Sequence, residues 1–453
     1  MKVTIAAMLK AGLALTLGLS IVACGTTAPT RSEGPVIAQP DDRLDVEPLP
    51  EPDFEEQTRY DRRGFVRPRH MGDEEPVRVA LLLPFTAPNE AARKVASAMF
   101  DAAQLAAFDA GDDRFLLIPK DTKGHPDGAA AAARSALADG AEIILGPLFS
   151  ESTEAAAPVA RAAGAPMIAF SSDLKVAGDG VYLLSFPPEL EIQRVTDFAV
   201  SQELTRFGLL APLSEYGSRV SGAFAQEVYS RGGVIVHEER YQQEPELMLE
   251  PAKRLARYSL EIVPLELRHE FEGDRSAAAA AATTTPEGPT GHTEGYQAVL
   301  MPEQGTLLRA LAPLLPYYNV DITRIKLLGV SAWNNPRLTR EPALRGGWFA
   351  APEPTITRNF EDRYAAAFGA PPPRLASLAY DATLLSARLG STQRRRNRFS
   401  VNAITDPNGY FGADGLFRLN RDGSVERGLA ILEIQPGGIQ VIDPAPRSFA
   451  AGY

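Results

Sequence analysis

Val77-Arg78-Val79-Ala80-Leu81-Leu82-Leu83-Pro84-Phe85 carries one charge and no turn residue before its proline. It does not alternate between apolar and polar residues, so neither face is meant for water. A run of this length that is apolar on both faces reads as a strand covered by helices on both sides, the environment of a parallel sheet. Helical spacing follows over 90–110, with Val95, Met99, Ala102, Ala103 and Ala106 on one face. Strands are then predicted over 115–119, 142–145 and 166–170, alternating with helices over 127–139 and 151–163. Such alternation implies right-handed crossovers and parallel pairing.

A second series of the same kind begins after Pro187-Pro188. Helices are predicted over 190–202, 217–230, 246–258 and 305–315, and strands over 206–211, 233–237, 297–301, 325–329 and 346–350. The Ala/Thr/Pro/Gly-rich stretch 275–294 reads as a long surface loop. Two helices, 356–368 and 376–389, precede a different kind of ending. Segments 410–419, 428–435 and 438–442 read as a β meander turning at Asn420-Arg421-Asp422-Gly423 and Pro436-Gly437-Gly438. The expected fold class is α/β, with two lobes, each a parallel sheet flanked by helices, facing one another across a cleft. The folded domain is placed at 77–448, with lobe 1 at about 77–186 and 352–405 and lobe 2 at about 187–351 and 406–448. A ligand crevice is expected beyond the carboxyl ends of the strands.

Upstream lie two other regimes. Lys2 and Lys10 precede an apolar run over 11–23 that stops at Ile21-Val22-Ala23-Cys24-Gly25. This is the layout of a secretion signal, 1–23, too short for a retained membrane span. Residues 24–76 are rich in Pro, Asp and Glu, and read as a disordered tether that cannot bury enough surface to offset its ordering entropy. Its reach lies between roughly 40 Å as a coil and about 160 Å fully extended.

Composition narrows the function. The 453 residues are 45% hydrophobic and 23% charged, as in a folded domain. A net charge of -11 leaves no basic face for phosphates and argues against nucleic acid. The run Arg394-Arg395-Arg396 with Arg398 reads as a solvated loop. Cys24 is the only cysteine, so an internal disulfide is excluded, and five separated histidines give no metal-ligand spacing. No hydrolase elbow or phosphate loop is present, and Gly178-Asp179-Gly180 lacks the strand-then-helix setting of a dinucleotide fingerprint. Neither a cofactor nor a metal is expected, and binding or regulation is favoured over catalysis.

The candidate binding residues sit where strands give way to helices. Ser150, in Gly146-Pro147-Leu148-Phe149-Ser150-Glu151-Ser152-Thr153, is positioned to cap a helix whose free amides can hold a ligand oxygen. Ser171 and Ser172 follow the next strand, and Tyr216 opens a helix in the second lobe. Trp333 either lines the cleft or packs. Tyr380-Asp381 reads as a core tyrosine beside a solvated or capping aspartate.

Three resemblances add to this reading. The segment ending at Cys24 resembles the bacterial lipoprotein box, which implies lipid on the Cys24 sulfur, and Gly25 resembles the pattern for release to the outer membrane. VRVALLLPF, the Gly-Pro-Leu turn, Ala169-Phe170-Ser171-Ser172-Asp173, Glu215-Tyr216-Gly217 and Ala379-Tyr380-Asp381-Ala382 resemble the type I periplasmic-binding-protein fold of branched-chain amino-acid receptors. That resemblance implies ligand contacts from Ser150, Ser152, Ser171, Ser172 and Tyr216. Phe170 and Asp173 depart from the receptors' small, threonine-bearing turn, and Glu151 adds a negative charge. Finally, Arg219–Glu227, Ile144–Leu148 and the ending Gly409–Arg427 are similar to penicillin-binding protein activators of the LpoA type. This implies a lipid-anchored regulator of peptidoglycan synthesis that faces the periplasm and activates a class A penicillin-binding protein by contact. The alternative is a solute-binding lipoprotein of an ABC importer holding an amino-acid-like ligand.

Overall fold

A computed structural model describes residues 59–60, 66–67, 74–259, 295–392 and 394–449. Cys24, the signal segment, most of the tether and the 275–294 loop lie outside the described residues. Within the segment read as a tether, Arg59–Tyr60 (β1) pairs antiparallel with Val66–Arg67 (β2).

The nucleating run becomes β3, Val77–Leu83, with all seven residues buried. It lies inside a five-stranded parallel sheet ordered β4-β3-β5-β6-β7. The other strands are β4 Phe115–Asp121, β5 Ile143–Leu145, β6 Met167–Ala169 and β7 Val181–Leu183. Helices α1 Glu90–Ala110, α2 Pro126–Ala138 and α3 Ser150–Ala162 make the crossovers. The apolar stripe of α1 buries Ala96, Met99, Ala103 and Ala106. Helices α2 and α3 meet through alanines, among them Ala132, Ala133, Ala156 and Ala160, whose small side chains let the helices approach closely. Strand β7 was not foreseen, because three residues between a left-handed Gly180 and Pro187 carry no readable period.

The second sheet has seven strands, ordered β17-β16-β12-β11-β10-β8-β9. Its parallel part is β8 Arg206–Pro212, β9 Val234–Tyr241, β10 Ala298–Leu300, β11 Lys326–Gly329 and β12 Trp348–Ala351. Helices α4 Pro188–Ser201, α5 Glu215–Ser230, α6 Leu249–Ala256, α7 Gly305–Leu311 and α8 Leu314–Tyr317 belong to this lobe. Trp333 packs rather than lining the cleft. It is fully buried, and a Cβ at Gly329 would stand 2.1 Å from its indole.

The chain then returns to the first lobe through α9 Pro354–Phe368 and α10 Ala376–Thr392. Helix α10 lies on α1 and β3, with Gly390 so close to Val77 that an added Cβ would come within 2.7 Å of it. After α11 Val401–Ile404 the expected single meander divides. Strands β13 Tyr410–Gly412, β14 Gly415–Leu419 and β15 Val425–Arg427 form their own antiparallel sheet. Tyr410, Phe417, Leu419 and Val425 of that sheet enter the first lobe's core. The hairpin β16 Ala430–Gln435 and β17 Gly438–Asp443 instead extends the second lobe's sheet, antiparallel to β12. Residues 406–427, expected in lobe 2, therefore pack with lobe 1. Turn chemistry is local and legible, whereas the core that an amphipathic strand joins depends on what it meets in space.

Candidate functional site

The carboxyl ends of β3, β5, β6 and β7 all open on one cavity of about 840 Å³. Beyond β3, Asn89 caps α1 by accepting from the Ala92 amide at 3.2 Å. Beyond β5 the chain turns at Gly146, which has φ +91°. A Cβ there would meet the Leu82 carbonyl oxygen at 2.3 Å, so only glycine fits the turn that delivers α3. The expected capping role of Ser150 is corrected: Phe149 occupies the cap position, and no side chain caps α3. Ser150 is the first helical residue, and the first-turn amides have no intrahelical partner.

Beyond β6, Ser171 and Ser172 reach the cavity, and the Ser171 hydroxyl accepts from the Asp173 amide at 3.1 Å. Asp173 also lines the cavity while accepting from Lys175 N at 3.1 Å. Beyond β7 come Ser185 and Phe186. Ser185 is only 2% exposed, lines the cavity, and its hydroxyl has no hydrogen-bond partner among the described residues. The remaining wall is apolar, formed by Val95, Leu148, Phe149, Phe170, Leu375 and Leu378.

Of the five candidates, the structure brings Ser150, Ser171 and Ser172 together on this cavity. Ser152 is 1% exposed and lies behind the rim, its hydroxyl without a partner among the described residues. Tyr216 stands on the other lobe, 40% exposed, in the first turn of α5. One turn further on, Arg219 holds Glu189 through two hydrogen bonds of 2.9 and 3.0 Å and reaches the Ser172 carbonyl at 3.4 Å. The opening of α5 thus approaches the serine loop of the first lobe. Burial, with the charges of Glu191 and Glu303 behind it, raises the Tyr216 hydroxyl well above its ordinary range.

The second lobe's strand ends carry groups that the sequence reading missed. Glu303 is buried and accepts from the Tyr241 hydroxyl at 2.9 Å, Gln243 Nε2 at 3.1 Å and its neighbour's amide at 3.0 Å. Glu191 is buried on α4 and accepts from the Ser331 amide at 2.8 Å and hydroxyl at 2.6 Å. Burial raises its pKa above the usual carboxylate range. The one sequence signal for Glu303 is its place three residues beyond β10.

Behind the cavity wall lies a second charged group. Arg374 and Arg427 bracket the ring of Phe186 at 3.5 and 4.3 Å. Arg374 pairs with Asp414 at 2.9 Å, Arg427 donates to the Ser185 carbonyl at 2.7 Å, and Asp381 accepts from Ala413 N at 2.6 Å. Asp381, expected to be solvated or capping, is fully enclosed and takes that backbone bond from inside the core. Its burial, and then Asp414, push its pKa to about 7, while burial lowers Arg427 to about 10. Tyr380 is buried as expected and donates to Asp109 at 2.6 Å. Among the described residues, no group of three or more His, Cys, Asp or Glu could hold a metal ion, and no helix is long and apolar enough to cross a membrane.

Comparison with known proteins agrees with this architecture. Residues 76–247 match a family described as Periplasmic binding protein. No curated protein matches the chain. Among solved structures, a Rhodospirillum rubrum protein assigned to branched-chain amino acid ABC transport aligns with a TM-score of 0.63 at 18% identity, covering 81% of this chain and 100% of that one. A Rhodopseudomonas palustris ABC-transporter solute-binding protein in complex with 3,4-dihydroxybenzoic acid aligns at 0.52 and 16% identity, covering 82% and 95%. A Desulfitobacterium hafniense ABC-transporter substrate-binding protein in complex with Leu aligns at 0.52 and 15%, covering 82% and 100%. At these identities the likeness is one of fold: α/β, with parallel sheets flanked by helices, as in type I periplasmic binding proteins.

Proposed function

We propose that the chain is a non-catalytic receptor for a small carboxylate with an apolar body, working as the solute-binding lipoprotein of an ABC importer. One observation carries this reading. The polar groups on the cavity at the strand ends are Asn89, already engaged in capping α1, the uncapped first turn of α3, Ser150, Ser171, Ser172, Asp173 and the Ser185 hydroxyl, which has no partner among the described residues. Helix N-termini favour anions, and a buried hydroxyl without a partner is a cost that a ligand oxygen would remove. A volume of about 840 Å³ is ample for an amino acid or an aromatic acid. Asp173 would serve an ammonium group, so amino acids and simple acids should separate in a binding series. The solved neighbours holding Leu and 3,4-dihydroxybenzoic acid support both chemistries.

Thermal unfolding across a panel of aliphatic and aromatic amino acids, benzoate and hydroxybenzoates tests the proposal. A true ligand at one hundred times its dissociation constant stabilises by about 2.7 kcal/mol. No shift across the panel would overturn the receptor reading.

A second reading, favoured by the likeness of Arg219–Glu227 and Gly409–Arg427 to LpoA-type activators, is a regulator that touches a class A penicillin-binding protein from the outer membrane. Stimulation of such a synthase by the purified chain, with no ligand shift, would reverse the order of the two. Both readings place the chain in the periplasm on a lipid anchor at Cys24. The Cys24→Ala chain should therefore leave the membrane fraction, and its retention there would contradict the anchor.

A further inference from the structure

We propose that Arg427 is a positioning residue for the ligand cavity, holding the wall formed by Ser185 and Phe186 while Asp381 keeps its proton and letting go when Asp381 ionises. Arg427 ends β15, and its Nε donates to the Ser185 carbonyl at 2.7 Å. The ring of Phe186 lies against the Arg427 guanidinium at 4.3 Å and that of Arg374 at 3.5 Å. Just before them, Leu183 N and Leu184 N donate to the Gly423 and Ala169 carbonyls, both at 2.8 Å. Past Leu184, the hold on the loop passes to Arg427. The clasp also ties together two crossings of the chain between lobes. Residues 184–187 lead from β7 to α4, and residues 428–429 lead from β15 to β16.

Arg427 has an alternative partner in the same enclosure. Its two terminal nitrogens are buried without a hydrogen-bond partner among the described residues, and so is Asp381 Oδ2. Asp381 is 1% exposed, and its other oxygen accepts from Ala413 N at 2.6 Å. A Cβ at Gly412 would stand 2.2 Å from that oxygen, so the strand closes over the carboxyl only because no side chain intervenes. A carboxyl enclosed in this way, with no cation bonded to it, favours its neutral form. Once ionised, it attracts the free end of Arg427, which acts on it more strongly than Arg374 does. A guanidinium turned to Asp381 forfeits the Ser185 carbonyl and the Phe186 ring.

The other charged groups near Asp381 have engagements of their own. Asp414, in the β13–β14 turn, faces it and pairs with Arg374 at 2.9 Å. Glu361 of α9 faces Asp414 and Arg374 in turn. On β14, Arg418 is turned to Glu426 at 2.7 Å. On α1, Asp101 accepts from Tyr364 and Asp109 from Tyr380. Arg78 lies at the far end of β3, next to the Val77 that meets Gly390, and β5 carries no charge. Arg388 and Tyr410 line a cavity of about 40 Å³ against Asp381, room for a water through which its proton exchanges with solvent. Burial and Asp414 hold the clasped Asp381 near pKa 7, whereas release returns it toward the ordinary carboxylate range. The clasp is therefore complete at acid pH, weakens as pH rises to about 7, and is level above. A ligand that needs the Ser185 wall is bound more weakly across the same window, by linkage. That last step rests on the receptor reading, and the clasp itself does not.

Amide hydrogen exchange on the full chain, compared at about pH 5.5 and about pH 8 after correction for intrinsic rates, tests the clasp. Protection of residues 184–186 relative to β5 should fall at least about tenfold toward the higher pH. Asp381→Asn, which stays neutral, should keep the protection at both. Arg427→Gln should lose it at both; if that variant does not fold, the wild type and Asp381→Asn decide. A flat wild-type profile, an equal fall in β5, or a fall that survives Asp381→Asn would overturn the proposal. Calorimetry with leucine and with benzoate then tests the positioning role. The dissociation constant of whichever binds should rise by a similar factor over the same interval, and stay level in Asp381→Asn. Binding that ignores pH while protection falls would reduce Arg427 to a brace and sink the proposal. Binding of neither probe counts against the receptor reading, and the exchange result then decides the clasp alone.

Discussion

On the first lobe, the hydroxyl of Ser185 is buried beside the cavity without a partner, and α3 starts without a cap. On the second lobe, Glu303 already takes hydrogen bonds from Tyr241 and Gln243, and Glu191 takes two from Ser331. Both faces are polar groups at the carboxyl ends of parallel strands, yet they stand in opposite conditions. Unsatisfied groups weaken the empty fold and are repaid only by a ligand, whereas satisfied ones hold their own loops together. Under the proposed receptor reading, recognition would fall to the first lobe, while the buried carboxylates of the second brace its loops.

The strongest way to break this contrast is at the turn that delivers α3. Gly146→Ala combines a left-handed backbone with a Cβ 2.3 Å from the Leu82 oxygen, and should cost about 3 kcal/mol or more in urea unfolding. Gly222→Ala, on an exposed part of α5 where a Cβ meets nothing, should instead stabilise by up to about 1 kcal/mol. Equal responses would mean that the turn is not strained as described.

A paired deletion sharpens the comparison next. Tyr241→Phe removes a donor from the buried Glu303 and should cost about 1.5–3 kcal/mol in the same assay. Ser185→Ala removes a buried hydroxyl that bonds nothing among the described residues, so the empty chain should gain about 1 kcal/mol or more in stability while affinity for a carboxylate ligand falls. Calorimetric binding that is untouched by Ser185→Ala would detach that residue from the site.

The charged group behind Phe186 makes a pH prediction. Burial holds the Asp381 pKa near 7, so the folded chain keeps a proton that the unfolded chain loses near pH 4. Stability due to this group is thus complete at acid pH, falls as pH rises from about 4 to 7, and is level above, with a slope of up to about 1.4 kcal/mol per pH unit. Glu191, also raised by burial, acts in the same direction. Asp381→Asn should flatten the decline in unfolding midpoints measured across that window; an unchanged slope would refute the assignment. The smallest effect is expected at the α4–α5 ion pair of the second lobe, beside the serine loop of the first. Arg219 and Glu189 are each about one-third exposed, so Arg219→Ala should cost no more than about 1 kcal/mol and less at high salt.

Much of the fold was legible because its signals are local. The unbroken apolar run at 77–83, the 3.6-residue stripe of α1 and the strand-helix alternation specify parallel α/β layers before any contact is known. The serines beyond β5 and β6 were legible for the same reason, since a strand end that precedes a helix marks the crevice. Ser185, Phe186, Glu191 and Glu303 were not, because nothing in their neighbours distinguishes them from surface polar or core apolar residues.

What the amino-acid order determined by itself is the alternation of elements, the turns, and the fold class that follows from them. Tertiary structure alone decided that β13–β15 joins the first lobe while β16–β17 joins the second, that Phe149 rather than Ser150 begins α3, and that Asp381 loses its water. The physical reason is range. Backbone propensity and side-chain periodicity act within a few residues, whereas burial and the matching of polar groups depend on partners that can lie hundreds of positions away.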